Sequence, residues 1–191
     1  MKQLLALDER IFLWINNEWA GSVLDGLFSL VTWLGNGYVV IGLVVVFFLL
    51  KDPRYLRRHL PWILLVLLVS GVCVHVLKRV VERPRPISEF APLIEAGKVH
   101  VRVLGEHLRL KSFPSGHAQT AFAVAVYVAL LVRPWGALVL LLAGAVGLSR
   151  VYVGVHFPLD VLAGAAIGAG TSILIWWLCK RLMTRRVPSG R

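Results

Sequence analysis

Three short clusters of polar residues, far apart in the 191-residue chain, carry the side chains that could do chemistry. They are residues 78–86, with the pattern Lys-x6-Arg-Pro, residues 114–117, with the pattern Pro-Ser-Gly-His, and residues 149–160, with the pattern Ser-Arg-x5-His-x3-Asp. Together they supply three cations, two histidines, a carboxylate and a Ser-Gly turn. Cations bind phosphate oxygens, and histidines can attack phosphorus or transfer protons. This combination predicts a site that attacks a phosphate ester.

The third cluster pairs a histidine with a carboxylate. His156 and Asp160 are four residues apart, a spacing that places two side chains on one face of a helix. A carboxylate bound to one ring nitrogen fixes the tautomer and leaves the other nitrogen nucleophilic. A purely structural His–Asp pair is the alternative. Pro158, between the two, suits a helix start that would leave His156 at its mouth and place Asp160 in its first turn, where a charge is costly without a partner. Because the cation Arg150 is close in sequence, we favour a reactive site.

The second cluster has the pattern of a helix start. Proline suits the first helical turn, and Gly116 would let a phosphate approach backbone N–H groups at the positive end of the helix dipole. Ser115 can add a hydroxyl donor, and His117 is expected to face the same pocket. An ordinary helix start remains the alternative.

The first cluster offers two cations at the end of an apolar run. Lys78 and Arg85 are expected to bind non-bridging phosphate oxygens, Arg85 as a planar fork and Lys78 as a mobile point charge. Taken alone, both could be charges at a helix end whose side chains extend to the membrane surface.

The elements that must position these clusters are long and apolar. Hydrophobic residues make up 58% of the chain, and five runs carry no acidic or basic residue except His75: residues 37–50, 60–77, 118–132, 135–148 and 161–179. A soluble helical bundle would need polar stripes at helical spacing, which these runs lack. The pattern therefore predicts an all-α, polytopic membrane bundle of five to six transmembrane helices.

The first fifty residues are organised differently. Residues 22–50 are too long for one straight crossing of a ~30 Å hydrocarbon core, and Gly35-Asn36-Gly37 divides them. We expect a short, oblique or re-entrant half and then a full helix. Residues 1–20 are predicted to form an interfacial helix with tryptophans nearby. Its apolar face would hold Leu4, Leu7, Ile11, Trp14 and Ile15, opposite Asp8, Glu9 and Asn16.

The chain has a net charge of +11. Nucleic acid is an unsuitable partner, because the aromatic residues lie in membrane runs; anionic lipid headgroups suit the charge better. Basic residues are nearly balanced between the two membrane sides under the positive-inside rule. If Lys78, Arg85 and Arg150 are set aside as substrate-binding cations, residues 51–59 and a basic tail over residues 180–191 lie in the cytoplasm. A loop over residues 83–113 then lies outside, and all three clusters meet at that outer face of a single domain.

The three clusters, in this order and with these spacings, resemble the signatures of the type 2 phosphatidic acid phosphatase superfamily, membrane lipid phosphatases related to vanadium haloperoxidases. The resemblance implies hydrolysis through a phosphohistidine, without metal or cofactor. His156 would be the nucleophile, oriented by Asp160, and His117 would protonate the leaving group and later activate water. The phosphoryl oxygens would be held by Lys78, Arg85, Ser115, Gly116 and Arg150. The resemblance also implies a bacterial inner-membrane protein whose active site faces the periplasm or exterior.

The substrate is predicted less directly. Three cations are more than a phosphomonoester needs, which favours undecaprenyl pyrophosphate. Lipid A 1-phosphate, phosphatidylglycerol phosphate and phosphatidic acid are the alternatives. A non-catalytic headgroup-binding or transport protein is the alternative of another class, although it would not need two histidines and a carboxylate. The sequence leaves the oligomeric state open.

Overall fold

The computed structural model describes residues 2–184, and these residues form an all-helical bundle. The helices are α1 (Lys2–Leu13), α2 (Ser22–Val31), α3 (Gly37–Lys51), α4 (Pro53–Val81), α5 (Pro86–Glu89), α6 (Ala91–Glu95), α7 (Gly116–Leu131), α8 (Gly136–Tyr152) and α9 (Pro158–Thr184). A π-helical turn (Trp14–Glu18) follows α1, and 3₁₀ turns follow α2 (Thr32–Gly35) and precede α8 (Arg133–Trp135). The predicted basic tail lies outside the described residues from residue 185 onward.

The long apolar helices fit the membrane prediction. In the described part of the chain, three segments are long and apolar enough to cross a bilayer, and they contain α4, α8 and α9. The pair Ser22–Gly35 and Gly37–Lys51 passes the same test together but is bent by 76°. Helix α7 has 16 residues and spans only about 24 Å. The prediction of an all-α membrane bundle is confirmed, whereas five to six crossings stays a prediction.

Helix α7 lies at the centre of the bundle. It packs very closely against α9. A Cβ atom added to Gly164 would lie 2.2 Å from the carbonyl oxygen of Ser115, and one added to Gly168 would lie 2.3 Å from that of Gln119. Only glycine therefore lets the two backbones approach this far. The approach sets the N-terminus of α7 beside that of α9, and the Ser115 N–H donates to the carbonyl oxygen of Asp160 at 2.9 Å.

The predicted break at residues 35–37 is present. Helix α3 begins at Gly37, and the side chain of Asn36 caps it by accepting a hydrogen bond from the Tyr38 N–H at 3.0 Å. A Cβ atom at Gly35 would lie 2.8 Å from Cβ of His117. The break therefore packs directly against the first turn of α7.

Helix α1 and the π-helical turn after it pack on the protein through polar and apolar residues together, because Phe12 and Ile15 are buried as well, so the prediction that Ile15 lies on the exposed apolar face is wrong. Asp8 and Asn16 are almost fully buried, whereas Leu4, Leu7 and Trp14 are more than half exposed. The exposed apolar residues suit an interfacial helix. Nothing in the sequence indicated that the opposite polar face would be buried in the protein. It is buried because Asp8 and Asn16 find hydrogen-bond partners there.

Candidate active site

The three polar clusters meet at one end of the bundle. Helix α4 carries Lys78 in its last turn, and the loop after it returns to the N-terminus of α7. The guanidinium of Arg85 in that loop donates to the carbonyl oxygen of Val155 at 3.1 Å, which joins the first cluster to the third. The Ser115–Asp160 backbone hydrogen bond joins the second cluster to the third. The prediction that the clusters converge is confirmed.

The imidazole of His156 lies beside the carboxylate of Asp160. Nδ1 of the ring is 3.6 Å from Oδ2 of Asp160, and both side chains are buried. Oδ2 also accepts hydrogen bonds from the Phe157 N–H at 2.9 Å and from the Ser112 hydroxyl. The carboxylate thus lies on the Nδ1 side of the ring, and Nε2 points away from it.

The expectation that a helix face would align His156 and Asp160 is wrong. Helix α9 begins at Pro158, so His156 precedes it. The pair meets because the Asp160 carboxylate turns back to the Phe157 N–H, as a capping residue does at a helix N-terminus. The four-residue spacing was therefore informative for a different physical reason.

The surroundings of His156 keep its ring neutral. Burial lowers the pKa of His156 to about 3, against the opposing effect of the Asp160 carboxylate, and the positive charges of Arg85 and Arg150 lower it further. A neutral imidazole has a free lone pair at neutral pH, which attack on phosphorus requires.

Two arginines supply positive charge with little exposure to solvent. Arg85 is 7% exposed and donates from Nε to the carbonyl oxygen of Leu110 at 3.0 Å. Arg150 donates from Nη1 to the hydroxyl of Thr32. Its buried Nε has no hydrogen-bond partner among the described residues. Because an unsatisfied buried donor on a cation is costly, this nitrogen favours binding of an anion.

The remaining cation, Lys78, approaches from α4. Its Nζ donates to the carbonyl oxygen of Lys111 at 2.9 Å. The charges of Lys78, Arg85 and Arg150 all act on the imidazole of His117. All three predicted cations therefore act on His117, and two of them, Arg85 and Arg150, also act on His156.

The N-terminus of α7 is open towards this site. Ser115 is the N-cap, and its hydroxyl oxygen accepts the Ala118 N–H at 3.5 Å. A Cβ atom at Gly116 would meet nothing within 4 Å, so a ligand can approach the backbone there. Pro114 precedes the N-cap, so the expectation that it occupies the first helical turn is wrong. Its position does not alter the anion-binding character of the helix end.

A cavity of about 740 Å³ opens at this end of the bundle, and its lining does not include His156, Lys78, Arg85, Ser115 or Gly116. His117 and Arg150 line it, together with Thr32 and Asn36 of the break before α3 and Glu106 of the loop between α6 and α7. Sequence reasoning did not predict that the break would contribute to the cavity. Its only signal was the Gly-Asn-Gly sequence, which marks a turn but not what the turn packs against.

Two further residues of the site were missed from the sequence. Ser112 donates to Asp160, and Arg83 forms an ion pair with the same carboxylate at 2.8 Å. Arg83 lies inside the Lys-x6-Arg-Pro spacing, but nothing distinguishes it there from a solvated loop charge. Ser112 lies two residues before Pro114, where serine is common in loops.

Comparison with known proteins identifies the family. A family model described as the PAP2 superfamily matches residues 59–184. The chain belongs to the PAP2 superfamily. The match includes all three polar clusters, so the resemblance inferred from their spacing is confirmed.

Individual PAP2 relatives differ in the substrate that their names give. The lipid A 1-phosphatase of Rhizobium johnstonii is 33% identical over 150 residues, covering 74% of this chain and 60% of that protein. The undecaprenyl-diphosphatase of Sulfolobus acidocaldarius is 31% identical over 176 residues, covering 91% and 79%. In the first curated relatives, the match spans only 41% to 60% of their own length. Identity at this level shows the family.

A solved structure supports the architecture. The crystal structure of Aquifex aeolicus LpxE superimposes with a TM-score of 0.70 at 33% identity. The superposition covers 87% of this chain and 92% of that chain. The all-helical bundle is therefore shared over nearly the whole of both proteins.

Proposed function

We propose that this protein removes a terminal phosphate from a membrane lipid through a phosphohistidine on His156. The observation that carries the proposal is the arrangement of His156: its Nδ1 side faces Asp160, and its ring is kept neutral beside the partly unsatisfied guanidinium of Arg150. A neutral nucleophile beside fixed cations is what attack on a phosphate dianion requires.

The proposed reaction has two displacements at phosphorus. In the first, Nε2 of His156 forms a bond to phosphorus, the bond from phosphorus to the lipid oxygen breaks, and His117 donates a proton to that oxygen. In the second, His117 removes a proton from a water molecule, the water oxygen attacks phosphorus, and the phosphorus–nitrogen bond breaks to release phosphate. Lys78, Arg85 and Arg150 neutralise the non-bridging oxygens during both steps.

The same proposal assigns no metal to the reaction. The charge that a divalent ion would neutralise is offset here by cationic side chains and by the N-terminus of α7. Within residues 2–184, no group of three or more His, Cys, Asp or Glu side chains could hold a metal ion. Activity is therefore expected to persist in EDTA.

An apolar groove supports a lipid substrate. It has a volume of about 290 Å³, lies between α3, α7 and α8, and is lined by Leu34, Ala121 and Val146 among others. Ala121 is one helical turn from His117, and Leu34 precedes Gly35, which packs on His117. A lipid tail in this groove would place its phosphate near His117.

Undecaprenyl pyrophosphate is the substrate that we propose. Its two phosphates can bind all three cations. Beyond these phosphates it has no headgroup for which the site must provide room. One observation favours lipid A 1-phosphate as a second candidate: the exposed carboxylate of Glu106 lines the cavity. A carboxylate accepts hydrogen bonds from sugar hydroxyls but repels an additional phosphate.

The substrate proposal predicts a specific order of activity. In one detergent and in the presence of EDTA, kcat/KM for undecaprenyl pyrophosphate is expected to exceed that for lipid A 1-phosphate, phosphatidylglycerol phosphate and phosphatidic acid. A tenfold margin corresponds to about 1.4 kcal/mol of transition-state discrimination. Phosphate release is the measurement.

Different results of this assay would contradict different parts of the proposal. A tenfold preference for another of the four lipids would replace the substrate and leave the phosphatase function standing. Loss of activity in EDTA and recovery with Mg²⁺ would contradict the metal-free mechanism. Binding of all four lipids without phosphate release would favour a headgroup-binding protein.

We further propose that the active site faces the periplasm or exterior of a bacterial inner membrane. Two exposed residues near opposite ends of α4 test this orientation: Arg57 in its second turn and Glu89 shortly beyond its end. Single cysteines at these positions, in a background with Cys73 and Cys179 replaced by alanine, are treated with an impermeant thiol reagent on intact cells. Labelling is expected at position 89 and not at position 57. The reverse pattern would place the active site in the cytoplasm.

A further inference from the structure

Arg83 connects the catalytic carboxylate to the N-terminal helix. Its Nη1 is 2.8 Å from Oδ1 of Asp160, and its Nη2 is 2.7 Å from Oδ2 of Asp8 in α1. Both carboxylate side chains are fully buried, and the arginine side chain is 16% exposed. One guanidinium therefore serves two buried carboxylates that come from opposite ends of the sequence.

The orientation of this guanidinium is fixed by more than the ion pairs. It lies over the ring of Phe157, 4.1 Å from the ring centroid. The second oxygen of Asp8 accepts the Leu159 N–H at 2.8 Å, in the first turn of α9. Phe12 of α1 packs on Phe157 with ring centroids 5.3 Å apart. Helix α1 is thus docked against the segment that carries His156.

Arg83 binds one of the two carboxylate oxygens of Asp160, and the other oxygen makes the remaining contacts. Oδ1 is bound by Arg83, so Oδ2 is left to face His156 and to accept the hydrogen bonds from Ser112 and Phe157. Without a cation, a buried carboxylate is strongly destabilised, and its rotation would be less restricted. The contact with Arg83 is therefore suited to holding Asp160 both ionised and correctly turned.

We propose that Arg83 is a positioning residue for catalysis, and that α1 completes the active site by holding Arg83 through Asp8. Arg83 acts through Asp160 on His156 and does not itself contact the phosphate. The inference rests on the proposed role of His156 as the nucleophile. It assigns to the N-terminal helix a part in the reaction beyond attachment to the membrane surface.

Because Arg83 is positively charged, its proposed positioning role can be tested in the pH profile of the activity. The charged groups that act on His156 are Asp160, Arg85 and Arg150, and Arg83 acts in turn on Asp160. Arg83 adds a further positive charge next to Asp160. Attack requires neutral His156, so activity is lost as the pH falls through the pKa of that ring. Removing a nearby positive charge raises this pKa, so the loss should begin at a higher pH.

Three variants separate charge from geometry. Arg83→Gln removes the charge and is expected to lower kcat by about 10- to 100-fold, the usual effect of losing a group that orients a catalytic residue, with little change in KM. The acid limb of its kcat/KM profile is expected to move up by about one pH unit.

The other two variants test geometry and the sign of the charge. Arg83→Lys keeps the positive charge but loses the planar guanidinium, so kcat should fall while the acid limb stays in place. Asp8→Asn should lower kcat without an upward shift, because it removes a negative charge.

Arg102→Gln is the matched control. Arg102 forms an ion pair of similar length, 2.7 Å, with Asp25 of α2, although this pair is more exposed, and it links the N-terminal region to a different loop, the one between α6 and α7. It has no contact with Asp160, so its loss should leave the acid limb in place. All variants are assayed with the same lipid substrate. At each pH, kcat/KM of the variant is divided by that of the wild type, so that the effect of substrate ionisation cancels. Thermal unfolding in detergent shows whether each variant is folded.

The results discriminate between the inference and the proposed function. Folded Arg83→Gln protein with wild-type kcat and an unchanged acid limb would overturn the inference. An equal shift of the acid limb in Arg102→Gln would also overturn it, because the effect would then be general. If wild-type protein forms no phosphoenzyme and releases no phosphate, the proposed function itself fails.

Discussion

Replacing His156 with alanine should abolish turnover of every lipid phosphate, lowering kcat by at least about a thousandfold, as loss of a covalent nucleophile does in other enzymes. The physical reason is that the proposed reaction has no other group able to bond to phosphorus. The cations and the N-terminus of α7 would remain, so substrate binding should persist. KM or a binding constant is therefore expected to change far less than kcat.

The measurement is phosphate release together with labelling from a substrate that carries ³²P in its terminal phosphate, quenched in alkaline SDS because a phosphohistidine survives base and is hydrolysed by acid. Wild-type protein should form an acid-labile phosphoenzyme, and His156→Ala should form none. His107→Ala is the matched control, because His107 is exposed in the loop between α6 and α7 and lies outside the three polar clusters. Phosphoenzyme formation in a folded His156→Ala protein would exclude the proposed nucleophile.

The second large effect concerns His117. Alanine at this position should lower kcat by about 10²- to 10⁴-fold with an alkyl phosphate such as phosphatidic acid, because the poor leaving group then departs without a proton. The first step should be affected much less with an aryl phosphate, whose leaving group is stable as an anion. The second step should remain slow with either substrate, since no base activates water.

These two expectations give a distinctive time course. With an aryl phosphate, His117→Ala should release a burst of phenol equal to the enzyme concentration, stop, and accumulate phosphoenzyme. His156→Ala should show no burst at all. If the loss in His117→Ala were the same for aryl and alkyl phosphates in the first step, proton transfer from His117 to the leaving group would be contradicted.

The sequence alone determined the class of the fold and the location of the site. Uncharged runs of this length without polar alternation predict helices in a bilayer, because a helix satisfies every backbone polar group within its own segment. Once alternating crossings are assumed, the three clusters fall at one face. The break at Gly35-Asn36-Gly37 was also predictable, because glycine and asparagine interrupt helices through local preferences that need no tertiary contact.

The small residues of α9 show how far such local reasoning extends. Glycines in an apolar helix predict a close helix contact, and Gly164 and Gly168 make one with α7. Gly170, in the same stretch, meets nothing within 4 Å. The sequence gives the capacity for close approach, but the crossing point of two helices decides which glycines use it.

The partners of the catalytic groups were decided by the tertiary structure. From the sequence, Asp8 was interpreted as part of the polar face of an interfacial helix, and nothing distinguished Arg83 from a solvated charge in a loop. A buried ion pair between them depends on α1 folding back onto the start of α9, about 150 residues later in the chain, as the Asp8–Leu159 hydrogen bond shows. Sequence spacing reports only neighbours within a few turns.

The same limit applies to His156 and Asp160. Their spacing suggested one helix face, yet the helix begins between them and the carboxylate reaches His156 by turning back to the N-terminus of α9. The residue types determine which chemistry is available. The direction of each side chain, and therefore which carboxylate oxygen meets which nitrogen, follows from helix ends and packing that only the folded chain defines.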